Sequence, residues 1–172
     1  MAELTLQLRP EDTKLVFLAV AYHLGRPGSE LDPITKQPVE HGLAEVASSL
    51  QPQLRLAVAS IDLRPNQLHR LLSGMLGSIT ELKAYPMLEQ RADADGGGRR
   101  SSVPGFDRTL RHLFPEVEED AGESLDVAER MLLLKRRLDN ETAGFGEEEP
   151  SPQPERKGWW PFKRRGAGVT DK

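Results

Sequence analysis

The chain has no cysteine, which excludes a disulfide framework, a thiolate zinc site and a cysteine nucleophile. Aromatic residues make up 5% of its 172 positions, so a core must be assembled mostly from Leu, Ala, Val and Met. Leu and Ala are strong helix formers, whereas the β-branched and aromatic side chains that favour sheets are scarce here. Long hydrophobic runs are missing as well. The longest, Leu15–Tyr22, falls far short of the ~20 residues needed to span a bilayer. Met1-Ala2-Glu3-Leu4 carries neither the basic n-region nor the apolar h-region of a secretory signal. Together these absences indicate a cytoplasmic protein whose contact with a membrane, if it has one, is peripheral.

What is present reads as helix. Pro10-Glu11-Asp12 suits a first helical turn, the run Leu15–Tyr22 follows, and Gly25 supplies a stop. A helix apolar all round is one buried on several sides, which puts Leu15–Leu24 at the centre of the domain. Residues 25–38, with two glycines and three prolines, read as a loop. Leu43, Val46, Ala47 and Leu50 then match helical spacing. The segment 54–63 is ambiguous: Leu54, Leu56 and Val58 alternate as in a strand, but Leu54, Ala57, Val58 and Ile61 trace a helix face, and helix is the favoured reading. Pro65–Lys83 carries the clearest stripe: Leu68, Leu71, Leu72, Met75, Leu76, Ile79 and Leu82. Gly74 and Gly77 within it imply close approach of a neighbouring helix, and Tyr85-Pro86 is expected to end it. A short helix follows over Phe106–Phe114. A last one, capped by Ser124, runs to about Asn140 with Leu125, Ala128, Met131, Leu132 and Leu138 inward. The expected fold is therefore all-α: a single bundle of about five helices over residues 1–140. Residues 141–172 form an acidic, proline-rich linker ending in a basic-aromatic motif, too polar to order itself.

Catalytic signals are weak. His23, His41, His69 and His112 lie on four separate segments, none with a paired metal-ligand spacing, so no metal or cofactor is expected. No nucleophile elbow is present. Glu116, Glu118, Glu119, Asp120 and Glu123 crowd one turn, as solvated charge clusters do. Gly96-Gly97-Gly98 followed by Arg99-Arg100 offers a backbone anion cradle without the Lys-Ser/Thr of a phosphate-binding loop, and Arg99-Arg100-Ser101-Ser102 has the look of a basophilic kinase substrate. Arg64, His69, Arg70, Arg99, Arg100, Arg108 and Arg111 keep nucleic-acid binding as the alternative function, though no recognition helix bears a row of base-reading residues. A small enzyme ranks third.

The sharpest feature lies at the end. Gly158-Trp159-Trp160-Pro161-Phe162-Lys163-Arg164-Arg165 holds both tryptophans of the chain. Residues 141–155 contain five glutamates and no Lys or Arg, and residues 156–165 contain five cations and no acid. A basic-aromatic patch of this kind docks on an anionic membrane surface or on a partner protein, or else folds back on the domain's own acidic turn. Trp159, Trp160, Phe162, Lys163, Arg164 and Arg165 are the candidate docking residues. The expected function is a non-enzymatic interaction or scaffold protein acting through this tail.

Overall fold

The computed structural model describes residues 3–32, 34–94 and 101–145. Most of these are helical, as the composition demands. Helix α1 (Pro10–Gly25) starts with Pro10 at its first position and Glu11 and Asp12 in its first turn, where a missing N–H and negative charge suit the unpaired donors of a helix start. Leu15, Val16, Leu18, Ala19 and Val20 are all buried, a set too wide for one helix face. The helix is enclosed by α2 (Leu43–Leu50), α3 (Pro65–Ala94), α4 (Phe106–Leu113) and α6 (Glu123–Glu141), the central position expected of it.

The contact between α1 and α3 depends on small residues. A Cβ at Gly74 would stand 2.8 Å from the Ala19 carbonyl oxygen, and one at Gly77 would stand 2.1 Å from Cε1 of Tyr22. Glycine lets the two backbones approach, at a propensity cost of roughly 1 kcal/mol each. Leu68, Leu71, Met75, Ile79 and Leu82 are buried along this interface, while Leu76, 52% exposed, turns outward.

Helix α3 does not stop at Tyr85-Pro86 but continues to Ala94 with Pro86 inside it. An interior proline has no N–H for the carbonyl four residues earlier, here that of Leu82, and its ring crowds that carbonyl. The orphaned acceptor is met from another helix: Ser124 Oγ lies 3.0 Å from Leu82 O. The same hydroxyl is 2.7 Å from Ala121 O, so its one proton is shared between them. Ser124 therefore does not cap α6; it sits buried inside the first turn, and the N-cap position belongs to Gly122, which offers no side chain. One of the two penalties of an interior proline is removed in this way.

The all-α expectation needs correcting in two places. Leu4–Leu8 forms a strand, β1, and Ala59–Leu63, within the segment favoured as helix, forms β2. They pair antiparallel, with Leu6 opposite Ile61 and Leu8 opposite Ala59. Leu6, Leu8, Ala59, Ile61 and Leu63 are buried on one face, and Gln7 donates to Ser60 on the other. The alternation at Leu54, Leu56 and Val58 is one residue out of phase with the buried set of β2, and Leu56 and Val58 are exposed. A 3-10 turn over Gln51–Gln53 leads into this region.

Phe106, Leu110, Leu113 and Phe114 are buried on and just after α4, as their spacing requires. The acidic turn forms a short helix, α5 (Glu116–Glu119). On α6, Ala128, Met131 and Leu138 are buried and Leu132 is half-buried, but Leu125 is exposed, and Val127 and Leu134 fill the core instead. One hydrophobic cluster joins all of these elements. The tail expected to be disordered from residue 141 begins later: Glu141 ends α6, Thr142 is buried and Phe145 packs against the core, and residues 146–172 lie outside the described residues.

Candidate functional site

Three polar constellations are built into the described residues. The first ties the loop after α1 to the helices. His23, 7% exposed, places Nε2 2.9 Å from Glu30 Oε1. Arg70 Nη1 lies 3.7 Å from the same oxygen and donates to the Ser29 carbonyl. Burial lowers the His23 pKa from its usual 6.5 and outweighs the opposing hydrogen bond and charge of Glu30. The neutral ring donates from Nε2, and Nδ1 has no partner among the described residues. In the same loop, the Thr35 and Ile34 backbone N–H groups hold the Asp32 carboxylate below the ordinary range.

The second constellation joins α3 to the segment before α4. Glu81, 8% exposed, accepts hydrogen bonds from Ser101 Oγ at 2.7 Å, from Ser102 N–H at 2.6 Å and from Ser102 Oγ at 2.8 Å. The third lies one turn further along α3. The buried Tyr85 hydroxyl donates to Asp107, and Arg111 Nε donates to both Tyr85 Oη and Asp107 Oδ1 at 3.1 and 3.0 Å. Burial first, then the bond to Asp107, holds the Tyr85 hydroxyl well above its ordinary pKa. These clusters order the chain around Val103 and Phe106, and sequence spacing gave no hint of either, because the partners are 20 or more positions apart.

A groove of about 640 Å³ runs where the start of α1, the turn after α2 and the α4–α5 junction meet. Leu54, Leu113, Pro52 and Pro115 supply its apolar surface, and Lys14, Arg55 and His112 its polar one. No carboxylate lines it. Lys14 pairs with Glu11 at 3.1 Å and its ammonium stands 5.8 Å from the Phe114 ring centre. Arg55 and His112 have no hydrogen-bond or ion-pair partner among the described residues.

The four histidines, considered together from the sequence, take four separate environments: His23 beside Glu30, His41 against Glu45, His69 exposed on α3, and His112 in the groove. Among the described residues no group of three or more His, Asp or Glu is placed to hold a metal ion. The acidic turn is spent on arginines, with Glu116 3.5 Å from Arg130 and Glu118 3.8 Å from Arg111. Arg64, Arg70 and Arg111, counted toward a nucleic-acid surface, each face a carboxylate: Glu3, Glu30 and Asp107. Arg108 is exposed. No helix among the described residues is long and apolar enough to cross a membrane.

The candidate docking residues Trp159, Trp160, Phe162, Lys163, Arg164 and Arg165 lie outside the described residues, as do Gly96–Gly98 and Arg99-Arg100. No family model, no curated protein and no solved structure matches this chain, so its function has to be argued from its chemistry alone.

Proposed function

We propose that this protein is a non-enzymatic interaction or scaffold protein that docks through Gly158–Arg165 on an anionic membrane surface. One observation carries the reading: both tryptophans of the chain stand side by side in an octet that also holds Phe162 and the cations Lys163, Arg164 and Arg165. Indole rings are stable at the headgroup level of a bilayer, and each nearby cation adds roughly 1 kcal/mol of attraction to anionic lipid. Three aromatic side chains and a short cationic run give reversible rather than permanent attachment. The glutamates at 147–149 and 155 repel the same surface, so the contact is confined to the octet.

The test is co-sedimentation of the full chain with vesicles. Wild type should pellet with phosphatidylserine-containing vesicles and stay in solution with phosphatidylcholine alone, and Trp159→Ala/Trp160→Ala should abolish pelleting. Equal pelleting of both proteins would remove the octet from the interaction. Failure of wild type to pellet at all would turn the reading to a protein partner, whose groove would take Trp-Trp-Pro-Phe and whose acidic rim would meet the cations.

A further inference from the structure

We propose that the acidic segment Glu147–Glu155 of this chain docks back onto its own domain, in the groove that holds Lys14, Arg55 and His112. Whatever the octet binds, this contact stands on its own observations.

The first is charge. The groove carries two cationic side chains and a histidine with no carboxylate among its lining residues, and Arg55 and His112 are unpaired among the described residues. Arginine leaves water more readily than lysine and forms a planar fork that matches a carboxylate. Of the ten residues after Phe145, four are glutamates and none is basic. The acidic turn at 116–125 also lacks cations, but its Glu116 and Glu118 already face Arg130 and Arg111.

The second observation is shape. The apolar lining of the groove is Leu54, Leu113 and the rings of Pro52 and Pro115. Pro150, Pro152 and Pro154 alternate along the acidic segment. Proline has little conformational freedom to lose and packs well on apolar grooves, which is how proline-rich peptides are commonly recognised.

The third is reach. Arg130 on α6 lies 5.4 Å over the Phe114 ring and 3.3 Å from Glu11, and the neighbours of Phe114, Leu113 and Pro115, line the groove. From Arg130 to the end of α6 is about 16 Å of helix axis at ~1.5 Å per residue. Arg137, on the way, holds Asp12 at 2.9 Å, so the chain leaves the domain beside the first turn of α1. The ten residues from Phe145 to Glu155 can extend to about 35 Å, enough to turn back and enter the groove. A tether this short gives a local concentration in the millimolar range, so even exposed charge pairs suffice. The docked segment would hold Trp159 and Trp160 near the α1–α4 end of the domain.

The experiment is zero-length carbodiimide cross-linking of the full-length chain, read by peptide mass spectrometry, with ¹⁴N- and ¹⁵N-labelled protein mixed. Lys14 should join a glutamate of 147–155 within one chain at low salt, and the yield should fall at high salt as screening shortens the reach of the charges. The Lys14–Glu11 link serves as the internal control that the amine and reagent are active. Arg55→Glu, at an exposed position, should leave thermal unfolding unchanged and remove the Lys14 link to the segment. Three results would overturn the proposal: a Lys14–Glu11 link with none to 147–155, a yield indifferent to Arg55→Glu, or links only between differently labelled chains, which would assign the groove to a second copy.

Discussion

The folded core and the C-terminal octet divide the apolar residues of this chain by type. The core of the described residues is mainly aliphatic, with Tyr85, Phe106 and Phe114 its largest fully buried side chains. The octet holds both tryptophans, flanked by cations. Aliphatic side chains fill space in a core without needing a polar partner. Indole brings a large apolar face together with an N–H that prefers a wet boundary. Under the proposed function, stability and recognition fall to different residue types in different stretches of sequence, and mutation should separate them.

The largest expected effect falls on the core side. Met75, fully buried on α3, the helix that packs on both α1 and α6, should lose about 2–5 kcal/mol of stability as Met75→Ala. Denaturant unfolding reads this, and vesicle binding of the folded fraction should not change. On the octet side, Lys163→Gln/Arg164→Gln/Arg165→Gln should weaken binding to anionic vesicles by about 3 kcal/mol, at ~1 kcal/mol per cation, with an unfolding curve that overlays wild type. If either variant moved both quantities, the separation would fail.

Two smaller effects sharpen the core side. Ser124→Ala strips the buried Leu82 carbonyl of the donor that stands in for the absent Pro86 N–H, and should cost about 1–3 kcal/mol. The double variant Ser124→Ala/Pro86→Ala should recover much of that loss, because residue 86 regains its own N–H. A lack of recovery would mean the serine acts only through Ala121. The pH effect is the smallest. His23 has a folded pKa below 6.5, so the unfolded chain takes up the proton first as pH falls. Its contribution is complete above about pH 6.5 and declines below it, by at most ~1.4 kcal/mol per pH unit. His23→Gln should flatten that part of the stability profile.

How much of this could be read from the sequence depended on how local the physics was. Helix α1 and helix α4 were legible because capping residues and a 3–4 repeat act within one turn. So was the role of Gly74 and Gly77, since an exception to helix propensity inside a strong stripe calls for a packing reason. The strands were not legible: each is five residues long, and Ala59 and Ile61 fit either period until Leu8 and Leu6 are known to lie opposite. Pro86 misled because the serine that satisfies Leu82 lies 42 positions away. The Glu81 and Tyr85 clusters and the groove share that cause, being assembled from segments that meet only after folding. The octet is set apart by composition alone, and its residues lie outside the described ones.

Because both tryptophans stand at 159 and 160, intrinsic tryptophan fluorescence of the unmodified protein reports on the octet and on nothing else. Titration with phosphatidylserine-containing vesicles should shift the emission to shorter wavelength as the indoles leave water, and phosphatidylcholine vesicles should leave it in place. An emission maximum unmoved by saturating anionic vesicles would contradict membrane docking through Trp159 and Trp160.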